Sequence, residues 1–135
     1  MELADTSAWT HRHKDSAVAA DFDARVVAGE IATCPQVVME LLWTARSHAD
    51  FEELREDLHA LENLPIEAAT WTRAIDVWNE LVIRGQHRVA KIPDLLVAAA
   101  AEVRGVAVCH YDADFAAISE VTGQPMSPIA TLGTL

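Results

Sequence analysis

Cysteine is almost missing from this chain. Cys34 and Cys109 are the only two in 135 residues, and they lie far apart. A disulfide framework needs more of them in an exported chain, and the N-terminus opens Met-Glu with no basic, apolar leader. A reduced thiol pair in a cytoplasmic protein is therefore expected. Long apolar runs are missing too. The longest, Leu95 to Ala101, falls far short of the roughly 20 residues a membrane span needs. No linker, repeat or low-complexity tract interrupts the chain. Basic charge is scarce: 10 Lys and Arg stand against 21 Asp and Glu, for a formal net charge of −11. Phosphate backbones attract Lys and Arg, so this balance argues at first against a nucleic-acid partner.

What is present is a core. Hydrophobic residues make up 51% of the chain and charged ones 23%, which excludes disorder and suits one domain. The charge is uneven. Residues 50–62 hold Asp50, Glu52, Glu53, Glu56, Asp57 and Glu62 against Arg55 alone. Phe51, Leu54, Leu58 and Leu61 recur there at helical spacing, so the acids form the solvated side of an amphipathic helix. Residues 84–91 are the reverse, with Arg84, Arg88 and Lys91 and no acid.

Short apolar strands alternate with helices. Glu2–Ala4 reads as a buried strand delivering Asp5 at its carboxyl end. Residues 8–28 read as two helical pieces, with Asp15 or Ser16 capping the second. Glu30–Thr33 is the next strand, and Pro35 opens a helix that continues from Gln36 to Ser47. Leu64–Ala68 is a weak strand. Thr70 caps a helix to about Arg84 with Trp71, Ile75, Trp78 and Val82 on one face, and its spacing puts Trp71 and Trp78 in the core. Pro93 opens the helix Asp94–Arg104. Val106–Cys109 is a strand, Asp112–Val121 a helix, and Met126–Ala130 an edge strand. This order predicts an α/β sandwich on a mostly parallel sheet.

In open α/β sheets, ligands gather beyond the carboxyl ends of the strands. Asp5 lies at one such end, and Asp112 and Asp114 lie just past another. Glu40 sits in Val37-Val38-Met39-Glu40-Leu41-Leu42-Trp43, where a carboxylate needs a cation or hydrogen bonds. Asp94 begins an Ala-rich helix able to approach a sheet closely. As a first-turn residue it is also a ready helix cap. Carboxylates converging on one pocket repel one another, and Mg²⁺ or Mn²⁺ removes the conflict. The histidines show no zinc-like spacing, and His11, His13, His48 and His59 read as surface residues.

Four segments in order carry a family resemblance: Leu3-Ala4-Asp5-Thr6-Ser7, Val38-Met39-Glu40-Leu41, Pro93-Asp94-Leu95-Leu96-Val97-Ala98-Ala99 and His110-Tyr111-Asp112-Ala113-Asp114-Phe115. Together the chain resembles a PIN-domain ribonuclease of the VapC type, the toxin of a bacterial toxin–antitoxin pair. The resemblance implies one PIN domain over residues 1–135, an α/β/α sandwich with about five mostly parallel strands. It implies a Mg²⁺- or Mn²⁺-dependent endoribonuclease in which activated water cuts an RNA such as a tRNA. Asp5, Glu40, Asp94 and Asp112 take the catalytic and metal-binding roles. Asp114 is an alternative or supporting ligand, and Thr6 or Ser7 matches a hydroxyl within the acidic cluster. The implied partners are RNA, a VapB-type antitoxin and a second copy of the chain. In that setting Arg84, Arg88 and Lys91 become candidate phosphate contacts.

Two other readings stay open at this stage. One is a PIN fold kept as a non-catalytic interaction module. The other is a phosphatase-type domain using Asp112-Ala113-Asp114. The acidity no longer excludes RNA, since four of the acids belong to a cation site and residues 50–62 carry almost half of the net charge. It predicts instead poor RNA binding without divalent cations.

Overall fold

A computed structural model describes residues 1–135. Five strands form one sheet in the order β3-β2-β1-β4-β5, and every pairing is parallel. They are β1 (Glu2–Ala4), β2 (Ile31–Thr33), β3 (Glu62–Asn63), β4 (Ala107–His110) and β5 (Met126–Pro128). Seven helices connect them: α1 (Thr6–His11), α2 (Ser16–Val27), α3 (Pro35–Leu42), α4 (His48–His59), α5 (Ala68–Ile83), α6 (Ile92–Arg104) and α7 (Asp114–Thr122). A 3-10 turn, Arg12–Lys14, joins α1 to α2.

Alternation along the strands makes the three layers. Leu3, Ala32 and Val108 point into the larger core, with Val37, Leu58, Leu81, Leu96 and Phe115 from α3 to α7. Their neighbours Ala4, Ile31 and Cys109 point the other way, into a smaller core with Ala8 of α1 and Phe22 of α2. Period-two side chains thus feed two opposite faces, as a parallel sheet covered on both sides requires. The centre of the larger layer is α6, where every residue from Asp94 to Ala101 is buried. Its alanines let α5 and the sheet come close, and Gly105, at φ 67°, ends it in the left-handed conformation.

Several expected boundaries shift. The third strand is Glu62–Asn63, not Leu64–Ala68. The Leu64 N–H still reaches the Thr33 carbonyl at 2.7 Å, but Pro65 has no N–H to continue the ladder. The third helix stops at Leu42, not Ser47, because Ser47 is already the cap of α4, its hydroxyl accepting from the Asp50 N–H. Thr70 is not the cap of α5. Glu67 is, and Thr70 Oγ1 accepts its N–H from one turn inside. The first helix begins at Thr6, ahead of residue 8, and α7 begins at Asp114, not Asp112. The last two strands are Ala107–His110 and Met126–Pro128, each displaced or trimmed by a residue or two.

The largest correction concerns α5. Its buried face is Thr70, Ala74, Val77 and Leu81. The neighbouring stripe, with Trp71 and Trp78 expected in the core, points outward instead: Trp71 is 50% exposed, Ile75 60%, Trp78 39% and Val82 50%. Both stripes have helical period, so spacing alone cannot choose between them. The stripe without indoles wins the inside because α6 presents alanines and the two helices pack closely. The acidic side of α4 is solvated as expected, with Leu58 buried and Leu54 and Leu61 half-buried beneath it.

Candidate active site

The strand order reverses at β1: β2 lies to one side and β4 to the other. Such a switch point leaves a crevice beyond the carboxyl ends of the two strands. Pairing Ala4 with Cys109 sets Asp5 beside the turn that follows β4, and the Asp5 N–H donates to the Cys109 carbonyl at 2.8 Å. Two segments from opposite ends of the chain meet there for reasons of sheet register alone.

Asp5 is the N-cap of α1 and is only 5% exposed. Its Oδ2 accepts from the Ser7 N–H at 3.0 Å and the Ser7 hydroxyl at 2.6 Å. Ser7 Oγ accepts in turn from the Tyr111 N–H at 2.9 Å. One hydroxyl therefore ties the first acid to the β4–α7 turn. Across that turn the Asp112 N–H donates to His110 Nδ1 at 3.1 Å, and Asp112 Oδ1 accepts from the Asp114 N–H at 2.9 Å. With Nδ1 accepting, the His110 proton is on Nε2. His110 is buried against Phe115, ring centroids 4.8 Å apart, and burial lowers its pKa. It fixes the turn as a neutral ring.

Asp94 enters from α6. It is 6% exposed, and its Oδ2 accepts from the Lys91 N–H at 3.2 Å. It is thus the first-turn cap expected of such a residue, and more. One carboxylate oxygen each from Asp94, Asp112 and Asp114 lies within 4.8 Å of the others. Burial, joined by repulsion from Asp5, Asp112 and Asp114, pushes the Asp94 carboxyl up to about 7. Three carboxylates crowded this closely suit a hard, oxygen-preferring cation, which would relieve that repulsion. The donor set fits Mg²⁺ or Mn²⁺ and offers nothing softer.

Asp5 and Glu40 stand beside this trio rather than in it. Glu40 is half-buried on α3, and its Oε1 accepts from Gln36 Nε2 at 3.4 Å. Burial and the Asp5 charge raise its pKa. No Lys or Arg pairs with it. Thr6 Oγ1 favours the ionised Glu40 yet has no hydrogen-bond partner of good geometry.

The basic candidates divide. Lys91 reaches the cluster, its Nζ 3.5 Å from Asp114 Oδ2, and the carboxylates raise its pKa, Asp114 most. Arg84 and Arg88 stay exposed in the segment before α6 and pair with no acid. Spacing alone did not reveal the Lys91–Asp114 pair, although Lys91, three residues before Asp94, gave the signal. The role of His110 was equally hidden. His13, His48 and His59 are exposed as expected; His11 is half-buried, its Nδ1 2.9 Å from the Ser7 carbonyl and its ring 5.0 Å from that of Tyr111. Both cysteines are free and buried, and burial pushes the Cys34 thiol up to about 11 and the Cys109 thiol up to about 12. Neither is a nucleophile at neutral pH.

Comparison with known proteins agrees with this geometry. Residues 3–121 match the model of the PIN domain family. Ribonuclease VapC18 of Mycobacterium tuberculosis is 41% identical over 133 residues, spanning 97% of this chain and 96% of that one. Ribonuclease VapC51 of the same organism is 40% identical over 108 residues, 80% of this chain and 78% of its own. Among solved structures, the DNA-bound VapBC of Salmonella typhimurium superposes with a TM-score of 0.73 at 18% identity, over 96% of this chain and 100% of that one. VapBC-5 of Mycobacterium tuberculosis gives 0.68 at 22% identity, over 94% and 97%. The fold is thus a shared architecture, and the chain belongs to the PIN domain family, among its VapC ribonucleases.

Proposed function

We propose that this chain is a divalent-cation-dependent endoribonuclease toxin, held in check by a cognate VapB-type antitoxin. The observation that carries the reading is the convergence of Asp94, Asp112 and Asp114 beside Asp5 at the switch point. Asp94 and Asp112 hold Mg²⁺ or Mn²⁺ with Asp5, and Asp114 supports them. Such a cation, when bound, lowers the pKa of water and offsets charge building on a phosphodiester. Glu40 orients the attacking water. Ser7 locks Asp5, and His110 locks Asp112, so the acids are held before substrate arrives. The products are a 3′-hydroxyl and a 5′-phosphate. A phosphatase reading fits less well, since Asp112-Ala113-Asp114 follows β4 and not β1. Residues 1–135 act as one PIN domain in the cytoplasm, where RNA is at hand and the two thiols stay reduced. No helix is long and apolar enough to cross a membrane.

The test is direct. Purified protein should cleave total RNA with Mg²⁺ or Mn²⁺ and not in excess chelator. Cleavage that survives chelation would refute the cation requirement.

Arg84, Arg88 and Lys91 grip RNA phosphates in this reading. Arg88→Glu should weaken RNA binding about ten-fold, more steeply at low salt, and leave Mn²⁺ affinity within two-fold. Equal RNA affinity at 50 mM and 200 mM salt, whatever the variant, would remove the phosphate contact.

The antitoxin's seat is a groove of about 1040 Å³ between α1, α2, α3 and α4, lined by Trp9, Val26, Leu41, Leu54, Leu58 and Leu61. An amphipathic helix lays its apolar face into such a groove. The uncovered stripe Trp71, Ile75, Trp78 and Val82 on α5 is the surface offered to a second copy.

A further inference from the structure

Helix α3 bears two large apolar side chains that nothing covers. Met39 is 72% exposed and Trp43 90%. They are four residues apart and share one face of the helix. Glu40 lies between them in sequence, and all three line a hollow of about 310 Å³ with Thr6. The exposed indole therefore borders Glu40, beside the acidic trio. Thr6 Oγ1, on the wall of the same hollow, is buried without a hydrogen-bond partner.

We propose that Trp43, floored by Met39, is a stacking platform for a nucleobase next to the scissile phosphodiester, in a single-stranded stretch of the RNA substrate. The inference rests on the ribonuclease reading and names the form of RNA that reaches the site. Charge supplies the argument for it. Arg12, Arg25, Arg55 and Arg73 are already paired with carboxylates. In a chain of net charge −11, the remaining cations, Arg84 and Arg88 among them, supply only part of the hold on RNA, and a contact that needs no phosphate supplies the rest. Stacking needs no charge, and every unpaired base has a π-face to offer. Bases within an A-form duplex hide those faces, whereas loops and ends splay them out. An indole one turn from Glu40 would fix the sugar-phosphate beside the carboxylates that act on it. Methionine is soft and adaptable, which suits contact with more than one kind of base.

The experiment uses the full-length chain and a randomised pool of single-stranded oligoribonucleotides, with Mn²⁺ present. Trp43→Ala should raise the KM for the pool about 5- to 150-fold, the equivalent of ~1–3 kcal/mol per stacked base. Trp43→Phe should restore most of that loss. Quenching of tryptophan fluorescence by the pool should shrink in Trp43→Phe. Mn²⁺ affinity, read by electron paramagnetic resonance, and solution mass should not move in either variant. Because the side chain is almost fully solvated, both variants should melt with the wild type. A wild-type KM in Trp43→Ala overturns the proposal. So does a drop in mass with an unchanged KM, which would assign this face to a second copy of the chain. If the wild type neither binds nor cuts the pool or total RNA, the ribonuclease reading itself has failed. If the wild type cuts RNA and Trp43→Ala cuts it equally well, only the stacking platform has.

Discussion

Replacing Asp5 by Asn will abolish RNA cleavage and leave the protein folded. The change removes one negative charge and almost nothing else. Asparagine is as good an N-cap as aspartate, and its Oδ1 can still accept from the Ser7 N–H and hydroxyl that now hold Asp5 Oδ2. The strand bond from the residue 5 N–H to the Cys109 carbonyl is backbone and unaffected. What is lost is the carboxylate whose charge is felt by both Glu40 and Asp94. In the proposed mechanism it joins Glu40, which orients water, to Asp94 and Asp112, with which it holds the cation. Losing a ligand of that kind costs several kcal/mol of transition-state stabilisation, so single-turnover cleavage should fall on the order of 10³-fold or more. The measurement pairs RNA-end sequencing after brief expression with thermal melting of the purified variant. Undiminished cleavage by a folded Asp5→Asn protein would sink the assignment. Ser7→Ala is the informative companion. It keeps all the carboxylates but frees Asp5 from the β4–α7 turn, and should slow cleavage less, by about 10- to 100-fold.

The parts of this site legible in the sequence are those set by local rules. Asp5 follows the short segment Glu2–Ala4, which reads as a buried strand, and Asp94 lies with Pro93 in the first turn of an Ala-rich helix. Both positions follow from capping and strand polarity, so both were found. The contacts that needed tertiary structure were not. Lys91 belongs with Asp114 because α6 starts next to the β4–α7 turn, which no spacing rule reports. Trp71 and Trp78 read as core because large apolar residues usually are; the close approach of α6 and its alanines reversed that by admitting the slimmer face of α5, Thr70, Ala74, Val77 and Leu81. In the sequence Glu40 is flanked by apolar neighbours, yet two of them, Met39 and Trp43, are on the surface. The short α3 buries Val37 and Leu41 and leaves the rest of its circumference half-open. A run of apolar residues gives composition, and only packing decides which side of the helix meets water.

Asp94→Asn should have opposite effects with and without a divalent cation. In the metal-free protein the folded Asp94 carboxyl titrates at about 7, against 3.8 for the ordinary group. Between those values the folded state keeps a proton that the unfolded chain has released. Stability therefore falls as pH rises through that window, and above pH 7 the full cost of the buried charge is present. At 1.36 kcal/mol per pKa unit the ceiling is about 4 kcal/mol, and relaxation and water entry reduce it to about half. Asparagine carries no charge, and its Oδ1 can still accept from the Lys91 N–H. In chelator at pH 8 the variant should therefore melt on the order of 10 °C above the wild type, and the difference should vanish towards pH 4. Added Mn²⁺ reverses the order. It binds the folded wild type and adds about 2.7 kcal/mol at a hundred times its dissociation constant, while the variant has lost a ligand and gains little. Thermal melts of both proteins from pH 4 to pH 8, in chelator and in Mn²⁺, read all of this in one series. A variant no more stable than the wild type in chelator at pH 8 would mean that Asp94 bears no electrostatic strain. A variant stabilised by Mn²⁺ as strongly as the wild type would mean that Asp94 does not hold the cation.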